Sequence, residues 1–182
     1  MSKRIIIAGS GFAGLWAALA AQRVIHLASQ EQNIEVVMVS PSPNVGIRPR
    51  LYEAVLENMN PDISELLSVV DVKYVAGCVN QIDGDQQTIE VSTTDGNKQT
   101  LSYERFILAT GSTTFMPPIP GLTDYGFSVS TLEDAEKLDL YLKNLANRPE
   151  NAARNTVVVA GGGLTGLETV TEMPERLRHI LG

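Results

Sequence analysis

The sequence predicts an α/β fold: a parallel sheet with an inserted antiparallel meander, followed by the start of a second unit of the same kind. Three observations carry that prediction. An apolar run, a G-x-G-x-x-G turn and a helical stretch follow one another in "RIIIAGSGFAGLWAALAAQ", from Arg4 to Gln22. The same succession recurs in "VVVAGGGLTGLE", from Val157 to Glu168. Between them lie three β-rich stretches separated by the turn signals Asp83-Gly84 and Asp95-Gly96. Strand, glycine turn and helix in this order make the fold Rossmann-like.

Each element has a local reason. Ile5 to Ala8 is a short continuous apolar run, as a strand buried on both faces requires. In the turn that follows, Gly9 permits the tight bend, Gly11 lets a pyrophosphate approach the backbone, and Gly14 lets helix and strand pack closely. The free N–H groups and positive dipole end of the next helix face that phosphate. Trp16, with the apolar helix positions Leu15, Leu19 and Ala20, reads as core. A second strand, "IEVVMVS", ends at Ser40, where this fingerprint expects an acid to accept hydrogen bonds from a ribose. Ser40 offers only a weaker, neutral bond, and Pro41 removes the next backbone donor.

"VKYVAGCV", "QTIEVSTT" and "QTLSYE" read as the strands of the meander, and Cys78 within the first as a buried structural thiol. "RFILATGS" returns as a buried strand whose small end residues Ala109-Thr110-Gly111 leave room for a ligand. "FMPPIPGL" is a stiff extended connector, because its prolines fix φ and cannot join a central strand. Thr131 caps a helix, with Asp134 three residues on and Leu138, Leu142 and Leu145 on its packed face. Thr156 to Ala160 then reads as an apolar strand and Leu164 to Leu181 as a helix that Pro174 kinks or interrupts.

Composition narrows the partners. The chain has 182 residues and a net charge of −7, which argues against nucleic acid and against an anionic membrane surface as main partners. The short basic clusters Arg48/Arg50 and Arg176/Arg178 read as solvated faces. A single cysteine excludes an internal disulfide and suits a reducing compartment. Lys3, Arg4 and "ALAAQ" have some look of a secretory signal, but Gly9, Gly11 and Gly14 break the stretch. No apolar run approaches the ~20 residues of a membrane span. His26 and His179 are far apart in sequence and read as surface or packing residues, and no side chain reads as a nucleophile or metal ligand.

Two G-x-G-x-x-G turns, a meander and an Ala-Thr-Gly strand end, in this order, resemble the two-dinucleotide-binding-domain flavoproteins. Within that group "RPRLYEAV" and "GGGLTGLETVTEMPERL" look most like type II NADH dehydrogenases, the single-subunit NADH:quinone reductases. The resemblance implies an FAD/NAD(P)-binding fold in which Gly9, Ser10, Gly11, Phe12, Ala13 and Gly14 hold the FAD pyrophosphate. Ser40 stands at the ribose position, Arg48 and Pro49 near the flavin, Val79 against the adenine, and Ala109, Thr110 and Gly111 on FAD. Gly161, Gly163 and Gly166 would receive the NADH pyrophosphate. Glu168 would lie near nicotinamide and flavin as the catalytic carboxylate; it also reads simply as a first-turn helix acid. Dithiol chemistry is out, because no cysteine pair follows the second strand.

The implied reaction is hydride transfer from NADH to FAD and delivery of two electrons to a quinone, in a cytoplasmic setting that is peripheral at the inner membrane in the longer enzyme. The implied domains are 1–115 for FAD, 116–155 as connector and helix, and 156–182 as the start of an NAD(P)H domain. The resemblance covers about the first half of such an enzyme, so the chain is expected to be a fragment, inactive alone. A homodimer paired through the C-terminal segment is expected with it. Two alternatives stay open: a non-catalytic nucleotide-binding or interaction module, and a soluble ferredoxin or rubredoxin reductase, against which "RPRLYEAV" argues.

Overall fold

β1 (Lys3–Ala8) and β2 (Ile34–Ser40) run parallel, joined by the helix α1 (Phe12–Leu27). The computed structural model describes residues 3–182. Pleating sends alternate side chains to opposite faces, which explains the unbroken apolar run of β1. Ile7, Val36 and Met38 pack with Ala18 and Ile25 of α1, while Ile6, Val37 and Val39 pack on the other face against Ile89 and Val91.

The six strands lie in the order β5-β4-β3-β2-β1-β6. β3 (Val72–Asp83) is a single twelve-residue strand with two kinds of neighbour. Its first half pairs parallel to β2, from Val36↔Val72 to Ser40↔Ala76, and its second half pairs antiparallel to β4 (Thr88–Thr93), from Gly77↔Thr93 onward. A bulge falls between Val79 and Gln81. The inserted meander is therefore continuous with the parallel sheet through β3. Asp83 Oδ1 accepts from the N–H groups of Asp85 and Gln86 and closes the first hairpin turn. β5 (Lys98–Ser102) completes the meander, and β6 (Arg105–Leu108) returns to pair parallel with β1.

The strands of this unit fall where the sequence places them, but Trp16, Ala20 and Cys78 do not lie in the core and are exposed. Trp16 is 67% exposed rather than core, because α1 turns Gly14, Ala18 and Ile25 to the sheet and leaves Trp16 on its outer face. Cys78 is exposed rather than buried, since it follows the buried Gly77 on the face that Val91 does not cover. A helix the periodicity did not suggest, α2 (Ser64–Val69), precedes β3; only Leu67 of its six residues is buried.

Residues up to Val45 with Pro61–Ser112 form one compact unit, and Gly46–Asn60 with Thr113–Gly182 form another. In the second, a 3₁₀ turn (Arg48–Arg50) leads to Leu51 and Met59, which pack on Ala135. A one-turn helix α3 (Leu122–Tyr125) precedes α4 (Leu132–Asn144), whose Thr131 Oγ1 accepts from the Asp134 N–H at 3.2 Å, as a cap should. α4 packs on α5 (Leu164–Leu181) through Leu142, Leu145 and Met173.

Three expectations for this unit need correction. Pro174 does not interrupt α5, and Met173 and Leu177 on either side are held in the same apolar cluster. Arg176 is not solvated: it is buried and donates to Asp139 Oδ1 at 2.8 Å. Thr156–Ala160 forms no strand and pairs with none among the described residues, and Val158 is 86% exposed. A strand exists through its ladder, and no described edge supplies one here. Among the described residues no helix is long and apolar enough to cross a membrane.

Candidate nucleotide-binding site

The site forms where β1 meets α1. Gly9 adopts φ +110°, and its N–H donates to the Val39 carbonyl at 2.8 Å. The Ala109 N–H donates to the Ala8 carbonyl at 2.8 Å, so the β6 end lies directly behind the turn. A Cβ on Gly9 would stand 2.2 Å from the Ala109 oxygen, and one on Gly14 would stand 1.9 Å from the Gly9 oxygen. Both are closer than unbonded atoms approach, so any side chain there forces the backbone to shift. Gly11 differs: no described atom lies within 4 Å of where its Cβ would be. The space above it is open.

Gly11 is also the N-cap of α1, and among the described residues no side chain caps this helix. The Leu15 N–H returns to the Gly11 carbonyl, leaving the N–H groups of Phe12, Ala13 and Gly14 without an intrahelical acceptor. No acid occupies this first turn to compete for them. Uncapped donors, the dipole end and an open Gly11 fit an anionic pyrophosphate. Phe12 and Ala13 are exposed at its mouth.

Ser10 does something else. It is only 7% exposed, and its Oγ lies 2.8 Å from Ser40 Oγ, 2.7 Å from the Asn44 carbonyl and 3.1 Å from the Ser42 carbonyl. Ser40, 5% exposed, donates to the Ser42 carbonyl at 2.6 Å. Two hydroxyl protons serve all these contacts, so both are spent within the loop in any arrangement. The Tyr74 hydroxyl adds a 2.7 Å bond to the Ser40 carbonyl, and burial first, then the Asp62 carboxylate, push its pKa up. The sequence reading missed Ser42, Asn44 and Tyr74; the alternating "SPSPN" was the available signal.

Of the remaining expected residues, Thr110 and Gly111 are exposed just past β6, with Gly111 at φ +77°. Val79 is half-buried opposite Val91, where the bulge begins. Arg48 and Pro49 belong to the second unit, where Arg48 Nε donates to the Ser130 carbonyl at 2.9 Å.

The second turn repeats the first. Gly161 has φ +124°, Gly163 is the N-cap of α5 with no side-chain cap among the described residues, and a Cβ on Gly166 would lie 2.0 Å from the Gly161 oxygen. Gly9 has Ala109 behind it, whereas no described atom lies within 4 Å of a Cβ on Gly161. Glu168 is exposed in the second turn of α5, so the first-turn dipole reading of it does not hold.

At the opposite ends of the strands, a cavity of about 400 Å³ is lined by Arg4, Glu35, Lys73 and Leu101 among others. Glu35 bonds both Lys73 and Arg4, which hold its carboxyl below the usual range. It lies away from the carboxyl ends where open α/β sheets bind ligands. Among the described residues no His, Cys, Asp and Glu gather as a metal site would need.

A family model described as pyridine nucleotide-disulphide oxidoreductase matches residues 3–177. The chain is 42% identical over 178 residues to an NADH dehydrogenase-like protein of Mycobacterium tuberculosis, covering 97% of this chain and 44% of that protein. It is 34% identical over 180 residues to the demethylphylloquinone reductase of Synechocystis, covering 96% and 43%. The chain thus spans less than half the length of these relatives. In fold it is similar to NDH2 from Plasmodium falciparum solved with NADH, at a TM-score of 0.77 and 21% identity, covering 98% of this chain and 38% of that one.

Proposed function

Because the chain belongs to the pyridine nucleotide-disulphide oxidoreductase family, we propose that its residues serve an FAD-dependent NADH dehydrogenase that passes electrons to a quinone. The observation that carries this reading is the pair of glycine turns with one geometry, 1.9 Å at Gly14 and 2.0 Å at Gly166. Two uncapped helix starts, at Gly11 and Gly163, are what two dinucleotides require. FAD, when bound, supplies the redox chemistry, taking a hydride from NADH and passing two electrons on.

The chain's own residues then bind, orient and exclude water. The turn from Gly9 to Gly14 holds the FAD pyrophosphate, Thr110-Gly111 and the Val79 backbone border the nucleotide, and Arg48 and Pro49 approach the flavin. Gly161, Gly163 and Gly166 hold the NADH pyrophosphate, with Glu168 beside the nicotinamide. The corresponding domains are 1–115 for FAD, 116–155 as connector and 156–182 for the start of the NAD(P)H unit. The setting is cytoplasmic, peripheral at the inner membrane in the longer enzyme, and two copies pair through residues 156–182.

Alone, the 182 residues hold FAD weakly and do not turn over. Support comes from the neutral, buried Ser40 and from the missing backing at Gly161. The purified chain is mixed with FAD, passed through gel filtration and assayed for NADH oxidation with a soluble quinone. We expect little retained flavin and turnover far below about 1 per second; stoichiometric yellow protein with ordinary turnover would refute this. A nucleotide-binding module is the second reading, favoured by Ser40, and stoichiometric nucleotide without turnover would support it. Gly11→Val, which fills the open space, should abolish whatever nucleotide binding the chain has.

A further inference from the structure

We propose that the first glycine turn accepts an adenosine whose ribose carries a 2′-phosphate as readily as one whose ribose is free. The inference rests on the reading of that turn as a dinucleotide site. Where β2 ends, an acid would accept a hydrogen bond from the ribose 2′-hydroxyl and repel a phosphate in its place. Here the position is Ser40, buried, its proton held by the Ser42 carbonyl and its oxygen 2.8 Å from Ser10. It offers neither attraction to a hydroxyl nor repulsion of a phosphate.

The loop beyond is equally neutral. From Ser40 to Ile47 no residue carries a charge, and Ser42 is exposed, with a hydroxyl chemically able to donate to either group. Ser10 fastens this loop to the glycine turn, so the neutral surface is built into the site rather than draped near it. Asp62, bridged to Asn44, is an anion beside this loop; its Oδ1 accepts from the Ser64 N–H at 2.6 Å, on the side away from Ser40 in the chain. Selection at this turn then rests on the shared pyrophosphate, and the two nucleotides differ little.

The test is calorimetric titration of the full chain with ADP-ribose and with 2′-phospho-ADP-ribose, which share the pyrophosphate and differ at one ribose position. We expect dissociation constants within about threefold of each other. Ser40→Asp should weaken the phosphorylated ligand at least about tenfold relative to the other, while neutral Ser40→Asn should leave the ratio near the parent's. That response also assigns the binding to the first turn rather than the second. Should Ser40→Asp fail to fold by circular dichroism, Ser42→Asp brings the same charge to an exposed position. A parent preference of tenfold or more for ADP-ribose, or a ratio indifferent to the introduced acid, overturns the inference alone. A folded chain that binds neither ligand even at about millimolar concentration, beyond the weak binding expected of it, overturns the dinucleotide reading of this turn, and the inference with it.

Discussion

A methyl group on Gly14 would stand 1.9 Å from the Gly9 oxygen, whereas one on Gly11 would meet open space. The two glycines therefore separate folding from binding. Gly14→Ala should destabilise by about 2 to 3 kcal/mol, since α1 must move off β1. Gly11→Ala should stay within about 1 kcal/mol, because φ −61° suits alanine. Thermal denaturation of both variants checks this, and equal losses would count against it. The buried Asp139–Arg176 pair makes a second case. Burial pushes the Asp139 carboxyl up, but Lys143 at 2.7 Å and Arg176 at 2.8 Å together hold it below its ordinary value. The folded pKa is lower than the unfolded one, so this stabilisation is full above the ordinary aspartate range and fades as pH falls through the depressed value. Asp139→Ala should cost about 3 kcal/mol at neutral pH by stranding a buried guanidinium whose Nε already lacks a partner among the described residues. Chemical denaturation at pH 7 and again near pH 3 should show the deficit shrinking in acid; a deficit constant with pH would contradict the assignment.

At the scale of elements, the segment 156–182 combines a stretch without strand pairing among the described residues with a helix that exposes apolar side chains. Val157, Val158, Leu164, Leu167 and Val170 are exposed. Unpaired backbone beside apolar side chains invites a partner strand. A second copy supplies one, so we expect a dimer whose 156–160 amides exchange slowly, and a monomer once residues after Asn155 are removed. Light scattering and hydrogen exchange on both chains decide this; a monomeric full chain with a freely exchanging tail would end the idea. The elements also show what the sequence made legible. β1, β2, both glycine turns and the Thr131 cap announce themselves through local chemistry: apolar runs, forced φ values and a hydroxyl three residues before its N–H. Trp16, Cys78 and Arg176 were misjudged, because burial depends on what covers a face, and that cover comes from distant segments. α2 was missed since six residues with one buried leucine leave no periodicity to read.

For the whole molecule, legibility ran highest where one motif needed only its own neighbours and lowest where the sheet had to be assembled. The order of strands along the chain never says that β3 serves two ladders at once. That double membership has a consequence for how the chain reaches its native state. The β3-β4-β5 meander closes short loops and forms from local contacts, whereas β6 must find β1 across some hundred residues of intervening chain. Once the meander has formed, the bulge at Val79/Gln81 pins the far half of β3. The near half, being the same strand, meets β2 with Val36 opposite Val72. A slip by one residue would turn Val37 and Val39 away from Ile89 and Val91. We therefore expect the meander, the local event, to form first and to commit the slow, long-range half of the sheet to one alignment.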